Sequence, residues 1–134
     1  MSPARPALPA ALRRLLVLAM QDSPGREICG LLVAHNEQLS FRRLPNLGGP
    51  GEFWVEEYAL EAQLRHLAAT GGRVLGLVHS HCSGLELSGP DAAALPASRW
   101  PWLVVVPQAA DGLVGCWYWA EGPHIHAEAL ALAA

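Results

Sequence analysis

The chain has 134 residues, 51% hydrophobic and 16% charged, and its nine basic and twelve acidic side chains leave a net charge of −3. That length fits one domain spanning 1–134, large enough to bury about two-thirds of its unfolded surface, and the composition excludes a disordered tail or charged linker. All nine cations are arginine and none form a basic block, which argues against capture of nucleic acid or of an anionic membrane. Cys29, Cys82 and Cys116 are too scattered for a disulfide framework. The apolar run 15–20 is too short for a membrane span and lacks a cleavage site. The expectation is a reduced, soluble, cytoplasmic protein.

Along the chain, residues 1–7 read as a frayed, flexible terminus. From Leu8 onward, Leu12, Leu15, Leu16 and Ala19 recur at helical spacing, and Ser23-Pro24-Gly25 stops that helix. The almost wholly apolar run 28–34 predicts a buried strand, and 39–44 predicts its hairpin partner across a turn at 35–38. A loop rich in glycine and proline, 45–51, leads to a helix over 56–69 with Leu60, Leu64 and Leu67 on one face and Gly71-Gly72 as its stop. A buried strand follows at 73–79, then a polar loop over 80–87 and a short helix from Ser88. Three more strands are expected at 102–106, 113–119 and 124–130. The order α-β-β-α-β-α-β-β-β predicts an α/β fold, a mixed sheet flanked by helices.

The chemistry concentrates in 79–91. If the strand continues through His81, His79 and His81 project from one face with Cα atoms roughly 6.5 Å apart, so both imidazoles can reach one ion. Asp91, at the start of the next helix, would be a third ligand. Two imidazoles and a carboxylate leave zinc a fourth position for water, the pattern of a catalytic site, in which the pKa of that water falls toward about 7. Neither half is specific alone. His124 and His126 repeat the spacing with nothing chemical nearby, and Ser88-Gly89-Pro90-Asp91 is equally a helix-capping sequence.

With Glu27 added, these residues resemble the JAMM (MPN-plus) zinc metalloproteases, which carry a Glu on an early strand, then His-x-His, a loop and Ser-x-x-Asp. The segment Glu27-Ile28-Cys29-Gly30-Leu31-Leu32 is similar to the prokaryotic form of the first motif. Asn46 after a strand and Phe53 before an acidic helix start match more loosely. The resemblance implies a core similar to the cytidine-deaminase-like three-layer fold, with Zn2+ held by His79, His81 and Asp91. It also implies Glu27 as general acid/base and Ser88 as the hydrogen-bond donor to the oxyanion. The implied activity is zinc-dependent hydrolysis of a peptide or isopeptide bond. The implied partner is a ubiquitin-like or sulfur-carrier protein with a C-terminal Gly-Gly tail, and self-association is left open. The competing reading is an inactive MPN-type scaffold that binds proteins.

Two departures stand out. Cys82 occupies the position where the family has proline, and nine residues, not ten, separate His81 from Asp91. Ser83-Gly84 are expected to absorb the shortening. Cys82 is read as a partly buried loop thiol with metal ligation as the alternative, Glu86 as a weaker substitute for Asp91, and Cys29 and Cys116 as core residues. Trp117 and Trp119 are expected to share a packed strand face; Trp54 sits in the loop that in the family borders the active-site groove, with lining a substrate channel as the alternative to core packing. Arg42, Arg43 and Arg99 read as solvated surface.

Overall fold

A strand apolar on both faces must sit inside a sheet covered on both sides, and the run at 29–34 does so. The computed structural model describes residues 5–109 and 112–131. It contains α1 (Ala10–Gln21), β1 (Cys29–His35), β2 (Gln38–Leu44), α2 (Glu57–Thr70), β3 (Gly72–Ser80), α3 (Gly89–Ala94), a 3-10 turn (Leu95–Ala97), β4 (Trp102–Gln108), β5 (Gly112–Glu121) and β6 (His124–Ala129). One six-stranded sheet runs in the order β2-β1-β3-β4-β5-β6. Only the β3–β4 pair is parallel; all other neighbours are antiparallel. The fold is therefore the mixed α/β sheet flanked by helices that the sequence predicts.

Alternation along the strands divides the core into two layers. Leu32, Val78, Leu103, Val105 and Trp117 face α1, where they meet Leu8, Leu12, Leu16, Val17 and Met20. Cys29, Leu31, Val33, Leu77 and Trp102 face the opposite side, against Leu67 of α2 and Leu95 of the 3-10 turn. Leu15, expected on the buried stripe of α1, is 47% exposed. The buried row is instead Leu12, Leu16 and Met20 at i, i+4, i+8, widened by Val17. Trp117 and Trp119 do share the face toward α1.

Of the terminus expected to fray, residues 1–4 lie outside the described residues. Arg5 does not behave as expected: its Nε donates to Glu128 at 2.6 Å, and its guanidinium lies 4.0 Å from the Trp119 ring centre. The Glu56 carboxylate caps α2 by accepting from Tyr58 and Ala59, and Gly71 closes it at φ 76°, a left-handed angle that suits glycine. No helix among the described residues is long and apolar enough to cross a membrane.

Candidate metal centre

The site forms where β3 ends and the chain leaves the sheet. His79 is the penultimate residue of β3 and faces the α2 layer. His81 lies just past the strand, yet its N–H donates to the Val105 carbonyl at 2.9 Å, extending the parallel ladder by one residue. The middle residue, Ser80, turns to the opposite face and accepts the Ile28 N–H at 2.8 Å. Glu27 lies next to Ile28, two residues before β1 begins, so this bond carries its side chain to the histidines.

Glu27, His79 and His81 each present a ligand atom within 4.8 Å of the others. His79 is fully buried, and the Glu27, His81 and Asp91 side chains are 6%, 11% and 13% exposed. Glu27 Oε1 lies 3.4 Å from His79 Nδ1, and Asp91 Oδ2 lies 3.2 Å from His81 Nε2. The mutual group of three thus contains Glu27, whereas Asp91 reaches it through His81. Asp91 is set by its helix: Ser88 Oγ accepts the Asp91 N–H at 3.1 Å as the N-cap of α3, with Pro90 in the first turn.

The donor chemistry fits a divalent ion. His81 Nδ1 faces the Gly84 carbonyl at 3.0 Å. A carbonyl only accepts, so Nδ1 carries a proton; Nε2 then meets the Asp91 carboxylate either as the second N–H of an imidazolium or, in the neutral ring that would ligate a metal, as a lone pair. In the neutral ring, two acceptors at that distance are reconciled by a cation between them. In His79 the Nε2 atom is buried without a hydrogen-bond partner, an arrangement that is costly unless something further engages the ring. Imidazole nitrogen and carboxylate oxygen together suit zinc.

Glu27, His81 and Asp91 open on a cleft of about 330 Å³ that is also lined by Cys82 and Ser88, while His79 lies buried behind them. It shares Gly51, Ser88 and Asp91 with a groove of about 690 Å³ walled by Phe53, Trp54, Leu60 and Trp102. Trp54 is 67% exposed and lines this groove, so it is not a core residue.

The remaining predicted residues divide. Cys29 is core, its thiol donating to the Leu44 carbonyl at 3.5 Å. Burial pushes that thiol from 9.0 up to about 12, with Arg43 pulling it down and Glu27 adding to the rise. Cys82 is exposed, not partly buried, because its loop turns outward between two anchors. One is the His81–Gly84 bond; the other is the Tyr118 hydroxyl, which donates to the Leu85 carbonyl at 2.7 Å. Cys116 is half-buried. Gly84 is not among the positive-φ residues, so the shortened loop closes on His81 without a left-handed glycine. Glu86 lines the cleft but is outside the ligand group. Among the surface arginines, Arg43 pairs with Asp22 and Ser23, and Arg99 stacks on Trp100.

Sequence reasoning assigned no role to Ser80, Trp102 or Ser98, and none beyond a loose match to Asn46 and Phe53. Phe53 lies parallel to the His79 ring at 4.2 Å between centres, and Trp102 meets both rings edge-on. The one available signal was Asn46 inside a segment of glycines and prolines, where an Asx side chain commonly organises the backbone.

The family model for prokaryotic homologs of the JAB domain (Prok-JAB) matches residues 9–119. Among solved structures, the chain is similar to protein DSY2949 from Desulfitobacterium hafniense, with a TM-score of 0.76 and 16% identity over 93% of this chain and 90% of that one. This likeness shows a shared fold. A second similar structure is AF2198, a JAB1/MPN domain protein from Archaeoglobus fulgidus, with a TM-score of 0.48 and 20% identity over 78% of this chain and 82% of that one. No curated protein matches the chain.

Proposed function

We propose that this chain, which belongs to the prokaryotic homologs of the JAB domain, is a zinc-dependent peptidase acting on the C-terminal tail of a ubiquitin-like or sulfur-carrier protein. One observation carries the reading: Glu27, His79 and His81 converge within 4.8 Å, with Asp91 against His81, beside a groove of about 690 Å³ that Asp91 also lines.

His79, His81 and Asp91 would hold the zinc, which when bound supplies Lewis acidity and lowers the pKa of water toward about 7. Glu27 takes a proton from the attacking water and passes it to the departing nitrogen as the carbon–nitrogen bond breaks, yielding a carboxylate and an amine. Its burial beside His79 keeps it within reach of both events. Ser88 uses its oxygen lone pair for the Asp91 N–H, which leaves its hydroxyl proton for the oxyanion. The groove between Trp54 and Trp102 takes the tail in extended form, and small glycines suit its close approach to the buried ligands.

The test is Glu27→Gln. This variant is expected to retain zinc and lose hydrolysis of a carrier protein whose C-terminal glycine is joined to cysteine. Turnover at the wild-type rate refutes the assigned role. Wild-type protein that holds neither zinc nor activity leaves the scaffold reading in its place.

A further inference from the structure

An imidazole that ligates a metal ordinarily has its plane fixed by a hydrogen bond from its outer nitrogen to a carboxylate, carbonyl or water. At His79, Nε2 makes no such bond, and Nδ1 reaches only Glu27, itself one of the three converging groups. The His79 side chain is fully buried, Nε2 has no partner, and the single polar contact is the 3.4 Å approach of Nδ1 to Glu27. Aromatic rings surround it instead. Phe53 is stacked 4.2 Å away with an interplanar angle of 6°, and Trp102 stands edge-on at 5.4 Å and 88°. Ring-nitrogen lone pairs lie in the ring plane, so whatever sets that plane also sets where His79 can ligate.

Both aromatic residues are themselves held. The Trp102 indole donates to Ser98 Oγ at 2.9 Å, and Trp102 meets Phe53 edge-on at 5.5 Å. Phe53 is fixed through its two chain neighbours by one side chain. Asn46 Nδ2 donates to the Glu52 carbonyl at 2.8 Å, and Asn46 Oδ1 accepts the Trp54 N–H at 2.8 Å. The same amide donates to the Glu27 carbonyl at 3.0 Å and accepts from Gly48 at 2.9 Å. Two donors and two acceptors exhaust what an asparagine amide offers. Asn46 thus joins the backbone of Glu27 to both sides of the ring that stacks on His79.

We infer that Phe53 is a positioning residue that fixes the His79 ring for metal binding, and that Asn46 sets Phe53 and Glu27 in one frame. This rests on the metal reading above. Loss of the stack frees the ring plane while all the ligands remain, so affinity falls and the geometry of the bound ion loosens.

The experiment compares wild type, Phe53→Leu, Phe53→Tyr and Asn46→Asp. It measures zinc affinity by chelator competition, the visible spectrum of the cobalt-loaded protein, and the melting midpoint of the metal-free protein. Phe53→Leu is expected to lose about 10- to 100-fold in zinc affinity, the usual size of an outer-layer effect, and to shift the cobalt bands. Phe53→Tyr is expected to restore both, because it keeps the stacked ring. Asn46→Asp, which loses both donors, is expected to resemble Phe53→Leu even where its melting midpoint is little changed. Wild-type affinity and spectrum in Phe53→Leu overturn the inference, as does a loss that Phe53→Tyr fails to restore. Wild-type protein that binds neither zinc nor cobalt overturns the metal reading and this inference with it, an outcome distinct from either.

Discussion

Ser80 Oγ accepts the backbone N–H of Ile28 at 2.8 Å across 52 residues of sequence, and the Ser80 N–H returns a bond to the Ile28 carbonyl at 2.9 Å. Ser80 separates the two site histidines and Ile28 follows Glu27, so this reciprocal pair joins the two chain segments that meet at the site. The side-chain half has no substitute in the buried interior. Ser80→Ala is therefore expected to leave a buried N–H unpaired and to lower stability by about 1–3 kcal/mol, measured by urea denaturation. It is also expected to slow hydrolysis of the carrier adduct more than it weakens zinc binding, because the displaced group is Glu27. Equal stability and turnover in the variant would contradict this role.

The strands were legible because their physics is local. A run apolar on both faces, as at 29–34, has few homes other than the inside of a covered sheet. The positions of His79 and His81 followed from the two-residue period of a strand, and Asp91 from a capping sequence that places it in the first turn of α3. The buried face of α1 was only half legible: a crowded apolar helix offers overlapping stripes, and packing against the sheet selected Val17 over Leu15. Phe53 against His79 was not legible. Their contact depends on Asn46 folding an irregular loop through four hydrogen bonds, and no periodicity encodes that. The exposure of Cys82 is similar, since it follows from anchors at Gly84 and Leu85 that lie outside any regular element.

Burial holds the Cys29 thiol up at about 12 against 9.0 when free, and holds Tyr118 at about 12 against 10.0. Both groups favour the neutral form in the folded protein. Their contribution to stability is complete below pH 9 and is lost as the pH rises toward 12, because the unfolded chain ionises first. Urea midpoints are expected to fall across that range, and Cys29→Ala is expected to reduce the slope between pH 9 and 10, before Tyr118 joins. Thiol labelling at pH 8 gives a second check: Cys82, exposed, reacts first, while Cys29 stays unlabelled until the protein unfolds. Rapid labelling of Cys29 in folded protein would contradict its placement.

Gly30 follows Cys29 in β1, and a Cβ there would run into the Phe41 ring and the Arg42 carbonyl of β2. One of these is backbone and cannot swing aside. Gly30→Ala is expected to spread the β1–β2 pair and cost about 1–3 kcal/mol, read from the shift in thermal or urea midpoint. At Gly84, where a Cβ meets nothing within 4 Å, the same substitution is expected to leave the midpoint nearly unchanged. Equal effects at the two positions would show that close strand approach is not what glycine provides at Gly30.

The most direct test of the metal centre is the zinc content of purified protein after dialysis against limiting zinc, measured by elemental analysis for wild type, His81→Ala and His126→Ala. The geometry of His79, His81, Asp91 and Glu27 predicts about one zinc per wild-type chain, the same for His126→Ala, and a near-complete loss for His81→Ala. Wild-type protein with only trace zinc, or His81→Ala retaining a full equivalent, would contradict it.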